Sequence, residues 1–194
     1  MSSRTYKNEN TQIKGIISQF KDAYRTSCEA SRNAYMKTLP SGAPIPKEGV
    51  IYGDDYKEEF RSMCCGYRAR ADEIIDGVIA RLKKVMTEAP SSEAVNVVSL
   101  LKMRNNLSIE EVRDLLDRYG DNPQTWKAIS SIANDHELYV GNHPIYEEMK
   151  DVEGLKRSID KTLTPLNSNY TNTNTRDGFL SILNMQIDGA LPTE

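Results

Sequence analysis

The two histidines, His136 and His143, with their acidic neighbours Glu137 and Glu147, are the side chains whose types best suit a metal ion. His143 and Glu147 stand four apart, so on a helix both could face one cation. The pattern is nonetheless not His-Glu-x-x-His, in which two imidazoles and a carboxylate base share one helical face. Both histidines also fall at loop or helix-end positions, where solvated imidazole is ordinary, and no metal is expected. Asp54, Asp55, Glu58 and Glu59 offer paired carboxylates for acid–base work or for Mg²⁺. All four lie at the start of one helix, where the positive end of the helix dipole already accounts for them. Cys28, Cys64 and Cys65 are odd in number and two are adjacent, which suits neither a disulfide framework nor a zinc site. A reduced, cytosolic setting with small buried thiols is the plainer expectation. Neither GxGxxG nor GxxxxGK[ST] occurs, and no Ser or Cys sits in a nucleophile elbow. The expectation is a protein that is not an enzyme, with no cofactor and no small-molecule substrate.

The elements that would position these groups are helices throughout. Ile13, Ile16, Ile17, Phe20, Ala23, Tyr24, Cys28, Ser31, Ala34 and Tyr35 recur at steps of three and four, predicting a helix over about 8–37. Its length would be roughly 45 Å at 1.5 Å per residue. Pro40, Gly42, Pro44 and Pro46 forbid its continuation. A second long helix begins near Asp54 and carries Tyr56, Phe60, Met63, Tyr67, Ala71, Ile74, Val78, Leu82 and Val85, close to a heptad seam like that of a coiled coil. Pro90 closes it. Folding the two about Pro46 would bring Phe20 near Asp72 and set Cys28 level with Cys64.

Shorter helices follow. Ser91 or Ser92 caps one bearing Val95, Val98, Leu100 and Leu101. Ser108-Ile-Glu-Glu111 is a capping box for the next, which carries Val112, Leu115, Leu116 and Tyr119 and ends at Gly120 as a left-handed cap. Asn122-Pro123 starts a third, with Trp126, Ile129, Ile132 and Ala133 as its core stripe. His143-Pro144 opens a last one that runs to Pro165. Residues 167–175 (NSNYTNTNT) read as a polar, mobile linker. Phe179, Leu180, Ile182, Leu183 and Ile187 form an apolar segment that must dock, and its own bundle is the expected place. The fold class is therefore all-α: a long N-terminal antiparallel helical hairpin over 1–90 (loop 39–53), a bundle of shorter helices over 91–166, and the linker with its apolar segment over 167–194.

Charge narrows the partners. Residues 1–90 carry 15 Lys and Arg against 12 Asp and Glu, while 91–138 and 139–194 each carry 5 against 8. This asymmetry is too weak to announce a nucleic-acid surface. The pair of helices at 108–134 does have the outline of a helix-turn-helix presenting Gln124, Thr125, Lys127, Ser130 and Ser131. Phosphate contact needs cations, and this stretch is net acidic, so a DNA-binding regulator stands as the alternative rather than the leading expectation. No apolar run reaches the ~18 residues that span a bilayer, and the polar N-terminus lacks the apolar core of a secretory signal.

The run Val98-Ser-Leu-Leu-Lys-Met-Arg-Asn-Asn-Leu-Ser-Ile-Glu-Glu-Val112, with Arg118-Tyr-Gly-Asp-Asn-Pro123 and Ala128-Ile-Ser-Ser-Ile-Ala133, resembles small helical proteins encoded in the structural gene modules of phages and prophages of Gram-positive bacteria. The resemblance implies a virion-assembly or host-cytoplasm accessory protein and brings no chemistry to particular residues. The expected function is a non-enzymatic interaction or assembly protein, binding itself or another protein. Its expected contact residues are Tyr56, Phe60, Met63, Tyr67, Phe179 and Leu183, because two long amphipathic rods have more apolar stripe than one subunit can cover.

Overall fold

The structure, a computed structural model, describes residues 5–164 and 173–194, leaving aside the side chains of 173–176. Seven helices occur among the described residues and no strand does: α1 (Lys7–Met36), α2 (Asp54–Met86), α3 (Ser92–Leu101), α4 (Ile109–Tyr119), α5 (Pro123–Asp135), α6 (Pro144–Leu163) and α7 (Thr173–Ala190). Two compact units result, one Gly77–Asp151 and the other made of residues 5–76 with Val152–Glu194. The divisions fall inside α2 and α6 rather than at Pro90 and residue 166. Prolines mark where a helix stops, but a long helix can supply apolar positions to more than one core.

In the long-helix unit, α1 buries Ile13, Ile16, Ile17, Phe20, Tyr24 and Cys28. Side-chain pairs link it to α2, with numbers on α2 falling as those on α1 rise. Arg70 donates to Gln19 Oε1 at 3.1 Å, the Phe20 and Tyr67 rings lie 5.6 Å apart edge to face, and those of Tyr24 and Phe60 lie 5.5 Å apart. Phe20 thus meets Tyr67, more than a helical turn from Asp72. The buried line on α2 is Phe60, Cys64, Ala71 and Ile75, and Ile74 is only half-buried. With two isoleucines in succession, periodicity alone selects the wrong one. The loop after α1 is tied down: Tyr24 Oη donates to Gly49 O at 2.8 Å, Arg32 Nε donates to Pro46 O at 3.0 Å, and Tyr35 stacks on Tyr52 at 4.7 Å.

The apolar segment near the C-terminus is a helix that docks on its own chain. Leu180, Leu183, Ile187 and Leu191 are buried, and α7 packs along α1. Of the expected linker, residues 167–172 lie outside the described residues, and 173–175 begin α7.

The other unit is held by local punctuation. Ser91 Oγ accepts from Ala94 N–H at 3.1 Å, and Ser108 with Glu111 forms a complete capping box. Asn122 Oδ1 accepts from the Gln124 and Thr125 amides, with Pro123 at the first helical position. Each cap satisfies amides that the first turn leaves without partners. Above them Leu101, Val112, Leu116, Ile129, Ile132 and Ala133 form one apolar cluster, with Trp126 against it. Gly120 is not a left-handed cap: its φ is −78° and its N–H continues the helix to Leu116 O at 2.8 Å. Glycine is needed for space instead. A Cβ there would lie 2.8 Å from Trp126 Cε3 and nearer still to Leu116 O.

Candidate functional site

Of the six expected contact residues, two are buried by the chain itself: Phe60 against Tyr24, and Leu183 at 1% exposure. Tyr56, Met63 and Tyr67 are half-buried, Tyr67 between Phe20 and the guanidinium of Arg70 at 5.5 Å. Phe179 is exposed. The seam of the long helices is therefore largely covered within one subunit: among its apolar positions only Tyr35 is exposed, and the others are buried or half-buried. Part of the covering comes from α7, which lays Leu180, Leu183 and Ile187 along α1, and no short-range pattern could reveal that.

No group of three or more His, Cys, Asp or Glu among the described residues could hold a metal ion. His143 is buried rather than solvated. Its Nδ1 accepts from Ile145 N–H at 3.1 Å, capping α6, and its ring stands edge-on to Trp126 at 5.4 Å. Trp126 Nε1 donates to Gly141 O at 3.2 Å. His136 ends α5. The acidic cluster at the start of α2 is solvated, and Asp54 pairs with Lys57 at 2.9 Å. That hydrogen bond holds the Asp54 carboxyl below its ordinary range. Cys28 and Cys64 are buried and Cys65 is exposed, with no disulfide.

The helix-turn-helix outline survives as α4, the turn at Gly120 and α5, but its reading face is mostly engaged. Thr125 is buried, Ser130 Oγ is enclosed, and Gln124 Nε2 donates to Met86 O at 2.6 Å. Lys127 and Ser131 remain exposed.

What the structure leaves open lies elsewhere. Val95, Leu100 and Met103, on α3 and the turn behind it, are 49%, 65% and 78% exposed. The run Val97-Val98-Ser99-Leu100-Leu101 carried the missed signal, because consecutive apolar residues cannot all face one side of a helix. Both α3 and α4 pack on α5. Between them runs a groove of about 280 Å³, lined by Val97, Leu100, Leu101, Arg104, Glu111, Asp114, Leu115 and Arg118. On each side the spacing is i, i+3, i+4, i+7, a single helical stripe. Arg104 pairs with Glu111 at 2.6 Å, and Glu111 also accepts from Ser108 N–H; the latter bond above all holds its carboxyl below the ordinary value. The outer side of α7 keeps Phe179, Ile182 and Met185 exposed. No helix among the described residues is long and apolar enough to cross a membrane.

No family model matches this chain, and neither a curated protein nor a solved structure matches it.

Proposed function

We propose that the chain is a non-enzymatic interaction or assembly protein of the cytoplasm, acting by helical self-association or by docking another protein. One observation carries this reading: large apolar side chains stay outside on two separate helices, Val95 and Leu100 on α3 and Ile182 and Met185 on α7, while the long-helix seam is covered. Contiguous apolar surface that a folded subunit leaves in water marks a binding face. The resemblance of residues 98–133 to phage structural-module proteins supports an accessory role in virion assembly, in the host cytoplasm or the particle. Nucleic acid ranks behind protein as a partner, because Lys127 is the one cation among the five residues of the α5 reading face. Light scattering after gel filtration over a wide concentration range, paired with cross-linking in the native host, tests the reading. A mass that grows with concentration, or a reproducible cross-linked protein, supports it. A strict monomer that cross-links to nothing overturns it.

A further inference from the structure

We propose that the α3/α4 groove is a twofold surface that takes a second copy of this chain, with the two α4 helices antiparallel; this rests on the interaction reading above. The charges at its rim decide the occupant. Arg104 and Glu111 already neutralise one another. Asp114 and Arg118 remain, one helical turn apart, with neither an ion pair nor a hydrogen bond among the described residues. At that spacing opposite charges commonly meet within a helix, yet here both side chains stand open at the groove. In an antiparallel pairing centred between them, Asp114 of each copy faces Arg118 of the other, so two ion pairs form from one sequence. A parallel pairing would set Asp114 against Asp114 and Arg118 against Arg118. The charge pattern is thus self-complementary in one orientation only, which is what an isologous contact requires.

Beside these charges the groove offers Leu100, 65% exposed, and the half-buried Leu115 as the apolar part of the contact. Together α3 and α4 hold 21 residues, 10 and 11, of which only the outward share can touch a partner. A standard interface uses roughly 20–30 residues a side. The dimer is accordingly weak and concentration-dependent.

Sedimentation equilibrium of the full chain tests this through a charge swap. Wild type should dimerise, more weakly as salt rises. Asp114→Arg alone and Arg118→Asp alone should each raise the dissociation constant about tenfold, by replacing two attractions with two repulsions. The double variant Asp114→Arg/Arg118→Asp should regain the wild-type constant, a rescue that a reciprocal self-contact alone produces. Leu100→Asp should abolish the dimer in either background. Circular dichroism confirms that each variant is folded, which surface positions should permit. A wild-type protein that stays monomeric at its solubility limit overturns the proposal. So does a dimer indifferent to all four variants, which would leave the interaction reading standing and move the contact to another face. Loss in both single variants without rescue in the double also overturns the reciprocal pairing of Asp114 with Arg118.

Discussion

In the long-helix unit, α7 lies on α1 with its polar groups as engaged as its apolar ones. Asp177 meets Arg25 at 2.5 Å and Lys21 at 3.4 Å, Asp188 meets Lys14 at 2.5 Å, and Asn10 donates to Leu191 O at 2.9 Å. In the shorter-helix unit, α3 is just as apolar but buries only Ala94 and Leu101, and its polar ties are the Ser91 cap and Tyr119 Oη donating to Glu93 at 2.8 Å. The first helix is fixed in register by partners nearly the whole chain away. The second is fixed by near neighbours in the chain, its first turn and α5, and leaves Val95 and Leu100 in water. Apolar content alone therefore says little about burial. What matters is whether a distant segment brings a matching face and matching hydrogen bonds.

The contrast is most exposed to a truncation in the long-helix core. Phe20→Ala removes a ring that is fully buried between Tyr24 and Tyr67, and should cost about 3–5 kcal/mol in urea unfolding. Hydrogen exchange should show amides of α1 and α7 losing protection well before those of α4 and α5. Equal losses in all four helices would break the distinction between the units. In the other unit, Gly120→Ala should cost about 1–3 kcal/mol by forcing a methyl against Trp126. Trp126 is the single tryptophan, so its fluorescence should shift with the ring. An unchanged spectrum and midpoint would mean that glycine is not required for space.

A smaller effect is expected from Ser108→Ala, about 1 kcal/mol, since the capping box is the main brace at the start of α4. Chemical denaturation measures it, and a neutral result would shift the stability of this unit from caps to core. The smallest effect belongs to Asp72. Burial above all, then the nearby carboxylates of Asp160 and Asp76, raise its pKa in the folded state. A raised acid favours the fold below its unfolded pKa and loses that contribution as pH climbs through the folded value. At neutral pH the ionised group is therefore a small cost. Asp72→Asn should raise the melting temperature slightly near pH 7, with the gain vanishing as pH falls through the ordinary carboxylate range. A variant less stable than wild type at pH 7 would show instead that Lys156 and Arg68 outweigh the burial.

Most of the helix boundaries were legible in the residues. Pro40, Pro44 and Pro46 close α1, the acidic turn at Asp54 opens α2, and Ser91, Ser108 and Asn122 stand where the caps are. The groove was not. Leu100 and Leu101 read alike on an apolar helix, and nothing within a few residues says that the core takes Leu101 and leaves Leu100 in water. His143 reads as solvated for a similar reason: its enclosure depends on Trp126, seventeen residues back.

By itself, then, the sequence determined the all-helical class and the start of nearly every helix, because caps, prolines and the 3.6-residue period act over one or two turns of chain. Tertiary structure alone decided that Ile75 rather than Ile74 is buried, that Val95 and Leu100 face water, and that α7 covers α1. Burial is a property of two surfaces. The surface opposite Asn10 is Leu191, and no local pattern carries information across that separation.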